Sequence, residues 1–130
     1  MESESRGGLA QAKARLQLGA AAVAPGAELG YWIANDGQMP LLYGAGYGFE
    51  RRAANGWESV PIALAFPAWG ARIVPDEDSG AMVARVPSNQ ASGHYRLVTS
   101  VIVLHADSTP MRGPDGPITI KLSCEFSITR

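Results

Sequence analysis

Apolar and polar residues alternate along most of this chain with a period of two, most cleanly near its C-terminal end. There Ile118, Ile120, Leu122, Cys124, Phe126 and Ile128 interleave with Thr119, Lys121, Ser123, Glu125, Ser127 and Thr129. Successive strand side chains point to opposite faces, so this is the pattern of a half-buried strand, with Cys124 on its inner face. The same period runs through Ala14, Leu16 and Leu18 and predicts a first strand over residues 13–18, although alanine, lysine and leucine there favour helix by propensity. It returns in Leu29, Tyr31 and Ile33 until Asn35-Asp36-Gly37 stops the second strand, and in Met82, Ala84 and Val86. A later strand opens at Gly93-His94-Tyr95-Arg96 and runs through Val98 to Leu104. A turn-rich loop over residues 106–117 leads to the last strand.

The densest information lies between Met39 and Pro61. Residues 39–51 read as one long strand, with Tyr43, Ala45, Tyr47 and Phe49 on one face and Gly44, Gly46 and Gly48 on the other. Glu50-Arg51-Arg52 ends it, and Trp57 starts a returning strand that runs to Leu64. Asn55-Gly56 between them predicts a type I′ hairpin turn, which needs positive φ at both central residues. Residues 66–74 contain Pro67 and Gly70 and read as an irregular edge segment. Short strands separated by turn signals, with no convincing helix, predict an all-β antiparallel sandwich of about seven to nine strands. Residues 1–10 read as a disordered lead-in and residues 11–130 as a single domain.

Composition removes several functional classes. Eleven Lys and Arg residues balance twelve Asp and Glu residues. Apart from Arg51-Arg52 the basic residues are scattered, so the chain lacks the electrostatic footprint of a nucleic-acid binder. No apolar run approaches the roughly 18 residues that read as a membrane-spanning helix. With Cys124 as the only cysteine, no intrachain disulfide can form. Residues 1–8 lack the basic and apolar halves of a secretion signal, which fits a cytoplasmic chain or one numbered after a removed leader.

The candidate chemistry is thin. Gly44-x-Gly46-x-Gly48 superficially resembles a phosphate loop, but that motif needs a helix opening among its glycines. In a strand the glycines predict a smooth face or a bulge, which lets a partner approach the backbone. His94 and His105 lack the convergent ligands of a zinc site. Asp76-Glu77-Asp78 reads as a solvated acidic turn, with weak calcium binding as the alternative. There is no nucleophile elbow, and an inward Cys124 is inert packing. Neither an enzymatic activity nor a cofactor is expected. Trp32 falls on the face opposite Tyr31 and Ile33, and Trp69 lies in the irregular segment; either is a plausible anchor if exposed.

The order of a Pro25-Gly26 turn, the strand from Leu29 to Asn35, Tyr43-Gly44-x-x-Tyr47-x-Phe49-Glu50, Asn55-Gly56-Trp57, Val60-Pro61, Gly93-x-Tyr95-Arg96-Leu97-Val98 and Glu125-Phe126-x-Ile128 resembles a bacterial immunoglobulin-like domain family. The resemblance spans roughly residues 16–129. It implies an immunoglobulin-like sandwich without catalytic residues, often in exported or lipid-anchored proteins, hence an extracytoplasmic location. Tyr95 is the candidate for a tyrosine corner, and Leu97 stands where antibody domains carry a cysteine, so there is no intersheet disulfide.

Tyr95, Trp57 and Phe126 are therefore the expected structural residues. The expected function is a non-catalytic module contacting an unknown protein partner at the cell envelope. Its candidate surfaces are Gly44, Gly46 and Gly48 with Arg51 and Arg52, together with the 106–117 loop including Met111 and Arg112. The alternative is a proteinase inhibitor, whose family is also a small β-sandwich. It would present Ser108-Thr109-Pro110-Met111-Arg112 to a protease cleft.

Overall fold

The computed structural model of the protein describes residues 12–62 and 64–130. The expected lead-in over residues 1–10 lies outside them. Twelve strands run in chain order: β1 (Ala14–Leu18), β2 (Ala22–Val23), β3 (Glu28–Asn35), β4 (Leu41–Gly44), β5 (Gly48–Ala53), β6 (Gly56–Val60), β7 (Gly70–Ile73), β8 (Met82–Arg85), β9 (Gly93–Val103), β10 (Arg112–Gly113), β11 (Gly116–Pro117) and β12 (Thr119–Ile128). Nine of them are four residues or longer, and β2, β10 and β11 are two-residue ladders too short for any period to show.

The strands form a sandwich. The small sheet has the order β1-β3-β8, and the large sheet the order β2-β12-β9-β4-β7 with β5 and β6 attached through β9. One ladder departs from the antiparallel expectation: β2 runs parallel to the end of β12, with Ile128 opposite Val23.

The predicted alternation decides what is buried. Leu29, Tyr31 and Ile33 from β3 meet Tyr95, Leu97 and Val101 from β9, all at most 2% exposed. Leu122, Phe126 and Ile128 complete this layer from β12, while Cys124 on the same face is only partly buried. Burial pushes the Tyr31 phenol up to about 12. The Tyr95 hydroxyl donates to the carbonyl of Ala91 at 2.7 Å, which is the back-bond of a tyrosine corner.

The long strand expected over residues 39–51 is broken. Leu41 faces Val103 while Gly48 faces Val98, so seven steps along one strand match five along its partner. The surplus bulges out at residues 45–47; Tyr43 on β4 bonds to the Ser79 carbonyl, and Tyr47 in the bulge to the Arg85 N–H. Just before the bulge Gly44 lets β7 approach closely: a Cβ there would stand 3.0 Å from the carbonyl oxygen of Trp69. The alternation alone fitted a flat face equally well.

The hairpin that follows is also not type I′. Ala53 pairs with Gly56, which leaves Ala54 and Asn55 as the loop, and neither has a positive φ. Gly56 alone does, at 125°. β5 therefore continues through Glu50, Arg51 and Arg52 instead of ending there, and β6 stops at Val60, short of Leu64.

Among the described residues, one polar side chain sits in the core. Asn35, 2% exposed, donates its amide to the carbonyls of Met39 and Ile73, and its Oδ1 accepts from the N–H of Gly37. The residue that ends β3 thereby ties the two sheets together at one end of the sandwich.

Candidate interaction surface

The expected surface residues do not form one surface. Gly44 and Gly48 are partly buried at the two ends of the bulge, and only Gly46 is exposed. The hydroxyl of Thr99 donates to the Gly46 carbonyl at 2.8 Å, so the bulge is held against β9. Arg51 and Arg52 are consecutive on β5 and project to opposite faces. Arg51 lies 3.5 Å from Glu58, whereas Arg52 lies over the Trp57 ring.

Trp57 is half-buried on the outer face of the large sheet and not in the core. The guanidinium of Arg96 stacks 4.5 Å from its ring centroid and that of Arg52 5.6 Å away, both within cation–π range. Arg96 Nε also donates to Glu50 at 2.6 Å, and Lys121 lies 3.3 Å from the other carboxylate oxygen. Burial raises the Glu50 pKa, but the hydrogen bonds from Arg96 and Lys121 outweigh it and hold the carboxyl below its ordinary value of 4.5.

A group with a depressed folded pKa contributes stability above its unfolded pKa and loses it as pH falls through the folded value. Unfolding free energy should therefore fall below pH 4.5, and Glu50→Gln should flatten that limb. Urea melts between about pH 3 and 6 read both slopes, and identical slopes would remove Glu50 from the account. Asp36, bonded by Arg15, and Asp107, bonded by Thr109, are also held low, so part of the slope persists in the variant.

The 106–117 loop is tied down. The Ser108 N–H donates to the His105 carbonyl, and Asp107 accepts from both the backbone and the hydroxyl of Thr109. Met111 corrects the expectation of a contact residue: it is 3% exposed, packs into the core and donates its N–H to the Val103 carbonyl. Arg112 remains exposed in the short β10–β11 hairpin. Ser108, Thr109 and Arg112 are thus exposed on a folded turn that the core residue Met111 anchors.

At the acidic turn, Asp78 accepts from the Gly80 N–H, and the backbone of Asp76 and Glu77 bonds to Asn35. Among the described residues no group of three His, Cys, Asp or Glu side chains is placed to hold a metal ion. No helix among them is long and apolar enough to cross a membrane.

The surface that stands out contains one expected anchor, Trp69, and otherwise lies outside the expected surfaces. Residues 61–69, PIALAFPAW, carry no polar side chain, and the described ones, 61, 62 and 64–69, lie between β6 and β7. Leu64, Phe66 and Trp69 are 44%, 36% and 45% exposed, and Val83 on β8 is 57% exposed.

Beneath this strap, Tyr43 of β4 and Tyr47 of the bulge bond to the backbone of Ser79 and of β8. The Tyr43 hydroxyl donates to the Ser79 carbonyl at 3.2 Å, and the Tyr47 hydroxyl accepts from the Arg85 N–H at 2.9 Å. Trp69 packs edge-on to Tyr43, and Phe66 to Tyr47 at 4.8 Å. Ring contacts continue from Tyr47 through Phe49 and Phe126 to Tyr95, linking the exposed flank to the tyrosine corner. Trp32, by contrast, is half-buried and donates its indole N–H to Gln17.

These features define an immunoglobulin-like sandwich without an intersheet disulfide. The model of the family described as bacterial Ig-like domain matches residues 11–112, and the chain belongs to that family. Among curated proteins none matches the sequence. A solved structure titled "AvmM Catalyzes Macrocyclization in Alchivemycin A Biosynthesis" is similar at 13% identity and a TM-score of 0.43, covering 92% of this chain and 89% of that one.

Proposed function

We propose that this domain is a non-catalytic binding module that contacts a partner protein at the cell envelope through the flank formed by residues 61–69 and β8. The observation that carries this reading is the exposure of Leu64, Phe66, Trp69 and Val83 around a segment without a polar side chain. Isolated exposed apolar residues are ordinary on a protein surface, whereas contiguous ones mark interaction sites. Anchoring supports the reading too. Phe66 and Trp69 are backed by Tyr47 and Tyr43, so little side-chain freedom is lost when a partner covers them. Trp is also enriched among residues that dominate binding energy.

The test places a photo-reactive phenylalanine analogue at Phe66, at Trp69 and, as a control, at Glu125 on the solvated outer face. Irradiation in cells of the natural host should give a discrete protein adduct from Phe66 and Trp69 and none from Glu125. No adduct, or the same adduct from all three positions, would refute the flank as the contact surface.

A further inference from the structure

The β8 edge and the groove beside it narrow down the partner's chemistry. Among the described residues β8 pairs with β3 alone. The Val86 N–H donates to the Ala27 carbonyl, and antiparallel ladders alternate, so Ala84 and Met82 turn their backbone groups toward β3 while Val83 and Arg85 turn theirs to the free edge. The Tyr47 hydroxyl takes the Arg85 N–H. This leaves the N–H and C=O of Val83 and the C=O of Arg85 facing outward.

Alongside lies an open groove of about 680 Å³, whose apolar walls include Pro61, Ile62, Leu64, Val86 and Pro87. Arg85 is its charged lining residue. The cross-strand neighbour of Arg85 is Glu28, but among the described residues no carboxylate comes within 4 Å of the guanidinium.

We propose that this edge takes an extended segment of the partner, apolar at alternate positions and carrying a carboxylate, which joins the small sheet as a further strand. Backbone hydrogen bonds to Val83 and Arg85 hold the segment, its apolar side chains enter the groove, and its carboxylate meets Arg85. This is strand addition, in which main-chain pairing supplies affinity and alternate side chains supply selectivity. An acidic segment is favoured over a basic one by charge complementarity with Arg85. The inference rests on the flank being the contact surface.

The experiment titrates ¹⁵N-labelled domain with acetyl-Thr-Val-Thr-Val-Glu-Val-amide and with the counterpart carrying Lys in place of Glu, up to about 1 mM, the weak end of the affinity scale. Amide shifts should cluster on β8 and the groove, the Val83 amide should gain exchange protection, and the Lys peptide should bind about fivefold more weakly. Val83→Pro deletes an outward N–H without touching the β3 ladder and should abolish binding. Arg85→Glu leaves the edge intact and should reverse the preference between the peptides, which keeps the test sharp should the proline variant unfold.

Equal affinity for both peptides, shifts away from β8, or no shifts would overturn the inference. So would a concentration-dependent dimer that Val83→Pro dissolves, since a second copy would then be the occupant. Adducts at Phe66 and Trp69 with a silent β8 would sink only this inference, whereas loss of both would sink the proposed function as well.

Discussion

Phe126→Ala should lower the unfolding free energy by about 3–5 kcal/mol, the range for removing a buried aromatic ring from a core that relaxes only partly. Phe126 is 3% exposed, stacks on Tyr95 at 6.1 Å and meets Phe49 edge-on at 5.9 Å. It joins the tyrosine corner to the rings that back the flank, so the cavity opens in the middle of that line. Chemical denaturation with intrinsic fluorescence measures the loss. A change under about 1 kcal/mol, typical of a surface substitution, would mean that the ring is not enclosed as described.

Asn35→Ala should cost about 2–4 kcal/mol, because a buried group left without its partner bears its full desolvation penalty. Here two carbonyls, those of Met39 and Ile73, lose their donor together. Asn35→Leu restores volume but no hydrogen bond, so it should recover little of the loss. If leucine were as stable as asparagine, packing and not hydrogen bonding would explain the residue. Hydrogen exchange adds a local reading: amides of β7 and of the start of β4 should open before those of β9 and β12.

The sequence made the interior visible where the period was long and uninterrupted. β12 and β3 bury the residues that their alternation marks, and Tyr95 bonds back to Ala91 as a glycine-preceded tyrosine opening a late strand implies. Legibility failed where one pattern served two structures. Glycine at alternate positions fits a flat face as well as a bulge, and only the register against the distant β9 decides for the bulge. Asn55-Gly56 signalled a hairpin correctly, but Gly56 alone supplies the positive φ, so the loop sits one residue earlier than expected.

An Asn-Asp-Gly run is ordinary loop chemistry, so Asn35 reads as part of a turn that stops a strand. Two of its hydrogen bonds, to Met39 and Gly37, are local, but its buried one goes to Ile73 on β7, 38 residues away, and no local window contains that partner. Met111 looked like a loop residue for the same reason, its burial being set by β9. Of this flank the residue pattern marks Trp69 alone as an anchor, because Pro67 and Gly70 make residues 66–74 read as irregular. The informative signal there was composition: nine consecutive residues without a polar side chain, in a segment that ends a strand rather than forming one.

Oxidative footprinting of Phe66 and Trp69 tests the claim that the flank meets a partner most directly. Hydroxyl radicals are applied to the purified domain and to intact host cells, with the outward face of β12 as the internal reference. The account predicts that both side chains react readily in the pure protein and several-fold less in cells, while the reference reacts equally in both. Equal modification of Phe66 and Trp69 in the two settings would contradict it.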